Sequence, residues 1–255
     1  RRNARVRQVR ALQRSSRHRD KDGLMVAEGL RLLQELARSA LPVAEVFYTA
    51  DFVAEPAGRA LLEALACPVR SCWEVSSEVM AALSDTQTPQ GVLAVLPIPE
   101  LSGRGGGFTL IVDEVRDPGN LGTMLRTAWA AGCEQVLLPP GTVDPTNPKV
   151  VRAGMGAHFF LPVRCASWEE IYNIVADADV WLAEVTAGIP YDAVEWHKPV
   201  ALIIGSEAEG AGDEAHRLAA GRYVHIPMAT GVESLNAAVA AGILLFAIAH
   251  QISRP

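Results

Sequence analysis

The feature that most constrains the fold is a regular alternation of short apolar runs and helical patterns in the second half of the chain. Runs such as TLIV at 109–112 and LIIG at 202–205 are separated by segments in which apolar residues recur at helical spacing. Runs that are apolar throughout indicate strands buried on both faces, which are typical of a parallel sheet covered by helices on each side. The sequence therefore predicts a mostly parallel, doubly wound α/β domain.

Each of these runs predicts a strand, and each segment with helical spacing predicts a helix. The strands are Phe108–Val115, Gln135–Leu138, Phe159–Val163, Val180–Val185, Ala201–Gly205 and Tyr223–Ile226. The helices are about Leu121–Ala131, Trp168–Ala176, Asp213–Ala219 and Ser234–Gln251. The last helix is apolar nearly all round, so more than one of its sides must be buried, and a second subunit is a natural cover.

A segment rich in proline and glycine divides the chain. Residues 97–107, PIPELSGRGGG, are typical of a flexible connector. We expect one domain over residues 1–98, a linker over 99–107 and a second domain over 108–255. The first domain is predicted to be a small α/β domain. Its expected strands are Val43–Thr49 and Gly91–Leu96 after a short apolar segment at Leu24–Val26, and its expected helices are Glu28–Ala40, Gly58–Ala66 and Ser76–Leu83.

The first 21 residues form a basic segment in an otherwise acidic chain. They carry nine basic side chains and one acidic side chain, whereas the whole chain has a net charge of −6. Clustered arginines are an electrostatic footprint for phosphate groups, so residues 1–21 are interpreted as a phosphate-binding arm. A solvated helix face and an arginine-rich transit peptide are the alternatives.

Several classes of protein are disfavoured by composition. The longest apolar stretch, 237–249, is shorter than the roughly 18 residues of a membrane-spanning helix. The four cysteines form no CxxC pair, which favours reduced thiols in a cytoplasmic protein. No metal-ligand spacing appears among the histidines, which we interpret as surface or core residues, so no metal is expected.

Three segments place small or polar residues between a strand and the following helix, where ligands bind in open parallel sheets. In the first, Asn120 is a candidate helix cap and Arg126 is expected in the second helical turn. The second, 205–212, is a glycine-rich turn, but it lacks the dinucleotide fingerprint and its Glu207 disfavours a pyrophosphate. The third runs from His225 to Asn236. Ordinary capped helices are the structural alternative for each segment.

Together these segments resemble the three motifs of the SpoU/TrmH family, SPOUT-class RNA 2′-O-ribose methyltransferases. The matching stretches are Asn120 to Thr127, Gly205 to Glu207, and Ile226 to Asn236, in the same order. Earlier in the chain, residues 26–29 (VAEG) and 83–92 (LSDTQTPQGV) are similar to the small substrate-binding domain, of L7Ae/L30e-like type, that precedes the catalytic domain in many members.

The resemblance implies transfer of a methyl group from S-adenosyl-L-methionine to a ribose 2′-hydroxyl in RNA, with ribosomal RNA favoured. It also implies a deep trefoil knot in the C-terminal domain and a homodimer that completes the active site. By matching position it assigns cofactor contacts to Thr186, Ala187, Gly205, Ser206, Ile226, Met228, Leu235 and Asn236. The catalytic residues that it implies are Arg126, Asn120, Glu207, Ser234 and Asn236.

The arginine poses a chemical question, because an arginine side chain is protonated at all ordinary pH values and is a poor general base. We therefore expect Arg126 to bind a phosphate and stabilise the developing alkoxide, while Asn120 and Asn236 orient the reacting groups. Glu207 would fix the arginine or the loop, and Ser234 would hold the ribose.

Three other functions fit parts of the sequence. A methyltransferase acting on transfer RNA is the nearest alternative. A catalytically silent RNA-binding homologue would keep the fold but lose the transfer. A nucleotide-dependent oxidoreductase would share the doubly wound sheet but requires a glycine fingerprint that the chain lacks.

Overall fold

Two units make up the protein, and they do not follow the order of the sequence. The computed structural model describes residues 3–65, 67–103, 107–206 and 210–252. The first unit consists of Arg1–Glu100 together with Asp144–Phe160, and the second unit consists of Leu101–Val143 together with Leu161–Pro255.

The secondary structure of the described residues comprises strands, α-helices and two short 3-10 helices. The strands are β1 Leu24–Glu28, β2 Glu45–Tyr48, β3 Cys72–Glu74, β4 Val92–Pro97, β5 Phe108–Val112, β6 Gln135–Leu138, β7 Val163–Cys165, β8 Asp179–Ala183, β9 Ile189–Pro190, β10 Val200–Ile204 and β11 Tyr223–His225. The α-helices are α1 Ala4–Arg14, α2 Ser16–Asp22, α3 Leu30–Ser39, α4 Ala50–Ala54, α5 Pro56–Ala64, α6 Ser77–Leu83, α7 Pro118–Ala130, α8 Pro148–Gly154, α9 Trp168–Ile174, α10 Asp213–Ala219 and α11 Ala237–Ile252. The 3-10 helices are Val69–Ser71 and Ala157–Phe159. No described helix is both long and apolar enough to cross a membrane.

The first unit is built on a four-stranded sheet in the order β1-β4-β2-β3. Strand β4 is antiparallel to both of its neighbours, and β2 and β3 are parallel. Successive residues of a strand point to opposite faces, and both faces are buried here. Met25 and Ala27 pack in a core with α3 and α5, whereas Val26 packs in a second core with α1 and α6.

The basic segment at the N-terminus is folded onto this unit. Helix α1 buries Val6, Val9 and Leu12 in the second core, so the segment is amphipathic and structural on one side. Arg5 lies 4.1 Å above the ring of Trp73 and forms an ion pair with Glu45 at 3.0 Å. The expected arm, of which Arg1 and Arg2 lie outside the described residues, therefore forms two helices, α1 and α2, and α1 has one charged face.

Arg19 also differs from the expectation, because it is a buried residue of the first unit. Its guanidinium forms an ion pair with Asp144, and it donates hydrogen bonds to Thr146 Oγ1 at 2.9 Å and to the Leu12 carbonyl at 2.6 Å. Burial alone would raise the pKa of Asp144, but hydrogen bonds from Thr146 and Arg19 outweigh it and hold that pKa below its ordinary value. These bonds tie residues 144–146 to the N-terminal helices.

The segment Asp144–Phe160 falls within the range expected for the second domain, 108–255, but it folds with the first unit. Helix α8 packs against β1, and Val151 and Phe159 are buried in the same core as α3. The predicted strand Phe159–Val163 is wrong for the same reason. Its apolar residue Phe159 ends a 3-10 helix in the core of the first unit, and the sheet of the second unit takes Val163–Cys165 instead.

The second unit contains a seven-stranded parallel sheet in the order β7-β6-β5-β10-β8-β11-β9. All five residues of the central strand β10 are buried, as the apolar run predicted. Helices α9 and α10 pack on one face of the sheet, while α11 packs against α7 and β10. The predicted mostly parallel α/β sheet, preceded by a small α/β unit, is confirmed.

Candidate active site

A cleft in the second unit lies where strands β8, β10 and β11 end. Its cavity volume is about 110 Å³. Its position at the carboxyl ends of parallel strands is the usual place for a ligand in an open α/β sheet. The residues that line it are Ala183, Glu184, Val185, Ile204, Gly205, Ser206, Gly210, Ala211, Ile226, Met228, Ser234, Leu235, Ala237, Ala240 and Leu244.

A tight turn after β10 forms one wall of the cleft. The backbone N–H of Ser206 donates to the Gly210 carbonyl at 2.9 Å, and Gly210 adopts a φ of +73°. A Cβ atom on Gly205 would lie 2.5 Å from the backbone nitrogen of Ala211, so only glycine fits there. Glu207, between these glycines, lies outside the described residues.

The loop after β11 forms the opposite wall and leads into α11. The Oδ1 atom of Asn236 accepts hydrogen bonds from the backbone N–H groups of Ala238 at 3.1 Å and Val239 at 3.2 Å. Asn236 therefore caps α11. The helix begins at Ala237 rather than at Ser234, which leaves Ser234 and Leu235 in the loop that lines the cleft.

The first turn of α7 is joined to the loop after β11 by a side-chain hydrogen bond. Asn236 Nδ2 donates to Asn120 Oδ1 at 3.0 Å. Asn120 does not cap α7 as expected, because Asp117 precedes the helix and its Oδ1 accepts from the Asn120 backbone N–H at 2.8 Å. The side chain of Asn120 therefore bonds the loop after β11 and does not cap α7.

Arg126 lies in the third turn of α7, because the helix begins earlier than the sequence suggested. Its side chain is exposed. Among the residues that the structure describes, its guanidinium makes no hydrogen bond or ion pair. An exposed guanidinium without an internal partner can bind an anionic ligand such as a phosphate.

Asp113, which directly follows β5, is hydrogen-bonded to the glycine-rich turn. Its side chain is buried, and Oδ2 accepts a hydrogen bond from the Gly212 backbone N–H at 2.8 Å. Burial raises the pKa of Asp113; the hydrogen bond from Gly212 opposes this increase, and the negative charge of Glu114 adds to it. The residue thus couples the loop after β5 to the loop after β10.

Glu184 is a carboxylate in the cleft lining, and it has a histidine beside it. Its Oε1 lies 3.5 Å from Nε2 of His216, whose Nδ1 lies 3.4 Å from the hydroxyl of Tyr223. A carboxylate in an otherwise apolar cleft favours a neutral or cationic ligand with hydroxyl or amino groups over a pyrophosphate. The described residues hold no group of three His, Cys, Asp or Glu side chains that could bind a metal.

Comparison with known proteins covers both units. The profile of the SpoU rRNA Methylase family matches residues 107–246, and that of the MRM3-like substrate binding domain matches residues 3–94. The mouse mitochondrial rRNA methyltransferase 3 is 33% identical over 97% of this chain and 72% of its own length. The 23S rRNA (guanosine(2553)-2′-O)-methyltransferase RlmP of Bacillus subtilis is 38% identical over 69% of this chain and 71% of its own.

A solved structure extends this similarity to the fold. The SpoU methyltransferase AviRb from Streptomyces viridochromogenes, in complex with AdoMet, matches with a TM-score of 0.88 at 25% identity, over 98% of each chain. The chain belongs to the SpoU rRNA methylase family. The resemblance stated from the sequence is confirmed, and with it the class of enzyme, a methyltransferase that acts on RNA, and its cofactor, S-adenosylmethionine. The oxidoreductase alternative is wrong.

For a SpoU methylase, the lining of the cleft suits this cofactor in its chemistry. Apolar side chains such as Ile204, Leu235 and Leu244 provide a surface for an adenine ring. Glu184 can accept hydrogen bonds from ribose hydroxyls or an ammonium group. The close backbone packing at Gly205 keeps side-chain atoms out of this wall.

Most of the positions matched to the SpoU motifs come together around the cleft. Gly205, Ser206, Ile226, Met228, Ser234 and Leu235 line it, and Asn236, which donates a hydrogen bond to Asn120, follows Ser234 and Leu235 along the chain. Thr186 and Ala187 are exposed and follow the lining residues Ala183, Glu184 and Val185 directly along the chain.

Sequence reasoning missed Glu184 and the small residues of the α11 wall. The predicted strand over 180–185 was the available signal for Glu184, because the end of a parallel strand in such a sheet faces the ligand. Nothing in the sequence indicated that Ala240 lines the cleft. Helix α11 is apolar on all sides, so only its packing decides which side faces the cleft.

Proposed function

We propose that this SpoU-family enzyme transfers the methyl group of S-adenosylmethionine to a ribose 2′-hydroxyl in ribosomal RNA. The observation that carries the proposal is the hydrogen bond between Asn236 and Asn120, which joins the cofactor cleft to the loop and helix that bear Arg126. The ribosomal substrate is favoured because the named relatives act on ribosomal RNA and the first unit matches a substrate-binding domain of the same lineage.

The reaction would be an in-line displacement, in which the 2′-oxygen bonds the methyl carbon as the C–S bond breaks, the electron pair of that bond stays on sulfur, and the hydroxyl proton passes to water. The cofactor, when bound, supplies a methyl group activated by the sulfonium charge. Arg126 contacts the phosphate next to the target ribose and stabilises the negative charge that develops on the 2′-oxygen. Asn120 and Asn236 orient the reacting groups, Ser234 holds the ribose, and Glu207 orients the arginine or its loop.

Cofactor contacts follow from the lining of the cleft. We assign them to Gly205, Ser206, Ile226, Met228, Leu235 and Asn236, with Thr186 and Ala187 at the outer edge. Alignment of oxygen, carbon and sulfur by such contacts supplies several kcal/mol of the acceleration, up to about 7–11 in favourable cases.

A second copy of the chain completes the enzyme in this proposal. Helix α11 leaves Val239 and Phe246 about half exposed, which is unusual for large apolar side chains on a packed helix and supports a homodimer interface. The trefoil knot that is typical of the family is part of the same proposal. A cytoplasmic location stays a prediction, since one of the relatives named above is mitochondrial.

The test is methyl transfer from tritiated S-adenosylmethionine to in vitro transcribed 23S and 16S ribosomal RNA, with transfer RNA in parallel. Mapping of ribose methylation in the product identifies the nucleotide. Incorporation into transfer RNA alone would favour the alternative substrate, and no incorporation into any RNA would favour a silent RNA-binding homologue.

The role of Arg126 is tested with Arg126→Ala and Arg126→Lys. We expect the alanine variant to lose roughly 10²–10³-fold in the rate of transfer, since it removes an oxyanion-stabilising donor. The lysine variant should recover part of this rate, because it restores the charge without the planar fork. Calorimetry should show unchanged cofactor affinity in both. Single-turnover transfer at the wild-type rate by Arg126→Ala would contradict the assignment.

A further inference from the structure

A groove in the first unit has the dimensions of a nucleotide. It lies between the loop 84–90, the start of α3 and helix α8, and its cavity volume is about 320 Å³. Its lining includes Glu28, Arg31, Thr88, Gln90, Arg152 and Met155. Six of its nine lining residues are polar or charged, unlike the residues of the apolar cores on each side of the sheet.

Hydrogen bonds fix the loop 84–90 that forms one wall of the groove. The carboxylate of Glu28 accepts from the hydroxyl of Ser84, from Thr86 Oγ1 at 3.0 Å and from the Asp85 backbone N–H at 3.2 Å. A carboxylate that accepts three hydrogen bonds has much of its charge satisfied internally and repels an anionic ligand less. The wall is therefore ordered before any ligand binds.

Gln90, at the end of this loop, is bonded to the start of α3, and its side-chain N–H group can still donate. Its Oε1 accepts from the backbone N–H of Leu30 at 2.9 Å, and a Cβ on Gly29 would lie 2.8 Å from that oxygen. Gly29 has a φ of +102°, so the turn and the glutamine depend on each other. Across the described ranges, Gln90 Nε2 donates no hydrogen bond, so it is available to an acceptor on a ligand.

Two arginines supply positive charge to the groove. Arg31 is exposed and, within the described part of the chain, forms no hydrogen bond or ion pair. Arg152 has one weak ion pair, to Asp85 Oδ2 at 3.4 Å. Guanidinium groups that line a preformed groove are typical of sites that bind phosphate through bidentate hydrogen bonds.

We propose that this groove binds a nucleotide of the RNA substrate, with Arg31 and Arg152 on its phosphate groups and Gln90 Nε2 donating to the base. The proposal rests on the proposed function and specifies where the substrate is held. Arg152 comes from the segment that matches the SpoU methylase family, whereas Arg31 and Gln90 come from the segment that matches the substrate-binding domain. Residues from both segments therefore form one recognition site.

The experiment compares Arg31→Gln and Arg152→Gln with Asp85→Asn, which breaks the same ion pair but leaves Arg152 in place. Filter binding to in vitro transcribed 23S ribosomal RNA is measured over a range of salt concentrations. We expect each arginine variant to weaken binding about tenfold, as expected for a lost charged hydrogen bond. The plot of log affinity against log salt should become shallower by about 0.7–0.9 for each arginine lost. Asp85→Asn should bind at least as tightly as wild type.

Two results would overturn the proposal. Equal losses in Arg152→Gln and Asp85→Asn would mean that Arg152 acts through its ion pair and not through RNA. Saturable binding of 5′-GMP to the groove with RNA affinity unchanged in the arginine variants would mean that it holds a free nucleotide instead.

Methyl transfer by the same proteins separates this proposal from the proposed function. If the wild type methylates ribosomal RNA and both arginine variants bind RNA normally, the groove proposal fails and the function stands. If the wild type transfers no methyl group but the arginine variants bind RNA weakly while Asp85→Asn does not, the groove proposal stands and the function fails.

Discussion

Replacement of Asp144 by asparagine tests whether the bond between residues 144–146 and the N-terminal helices holds the first unit together. The substitution leaves the guanidinium of Arg19, which is 3% exposed, without its counter-charge. Removing one partner of a fully buried pair costs about 3–5 kcal/mol. Asp144 is itself 25% exposed, and the amide oxygen can still accept a hydrogen bond, so we expect about 2–3 kcal/mol.

The assay is urea unfolding followed by circular dichroism and by calorimetric melting. A loss of about 2–3 kcal/mol corresponds to a melting temperature lower by roughly 5–10 °C for a protein of this size. Arg19→Met is the matched variant, because it removes the buried positive charge that Asp144→Asn leaves unpaired. The double variant should be less destabilised than the sum of the two single variants, since neither charge is then left unpaired.

The dependence on pH gives a further check of the same reasoning. Hydrogen bonds from Thr146 and Arg19 hold the pKa of Asp144 below its ordinary value. The stabilisation is therefore present above the unfolded pKa, near 4, and is lost as the pH falls through the lower folded pKa. The difference between wild type and Asp144→Asn should shrink below about pH 4. A difference under about 0.5 kcal/mol at pH 7 would refute the reasoning, because it would show that Arg19 needs no counter-charge.

Three other perturbations have defined outcomes. Gly205→Ala places a Cβ against the turn that walls the cleft, so calorimetry should show cofactor affinity reduced at least tenfold; wild-type affinity would mean that the turn relaxes freely. Replacing three of the four arginines of α1 by glutamine, with the ion-paired Arg5 kept, should make the salt dependence of RNA binding shallower by about 2–3 without changing the melting temperature; an unchanged slope would exclude that face from the RNA interface. These arginines are Arg7, Arg10 and Arg14. Burial raises the pKa of Asp113, so its charge costs stability as the pH rises above the unfolded pKa near 4. Asp113→Asn should match or exceed wild-type stability at pH 7, and a large loss there would show that the carboxylate charge is required.

Local patterns predicted much of the second unit. Strand β6 and helix α10 have the predicted bounds, because apolar runs and helical spacing depend on nearby residues alone. The glycine-rich turn and the loop before α11 were also placed correctly at the edge of the sheet where the cleft lies.

Features that depend on distant partners were missed. Phe159 lies in an apolar run that suits a strand, and its position in the core of the first unit cannot be read from its neighbours. Arg19 counted as one charge among nine, although Asp144, far along the chain, makes it a buried residue. At the site, Asp117 displaced Asn120 as the cap of α7, since both residues are competent caps and only the distant Asn236 distinguishes them.

The return of Asp144–Phe160 to the first unit limits how the gene can be dissected. A truncation at the connector would yield a fragment in which the apolar side of β1 and α3 lacks Val151 and Phe159. Such an exposed patch would promote aggregation. In the complementary fragment, Val151 and Phe159 would be exposed, because the core that buries them would be missing. The first unit therefore cannot be exchanged as one continuous segment. Domain exchange between relatives should succeed only when Arg1–Glu100 and Asp144–Phe160 are exchanged together.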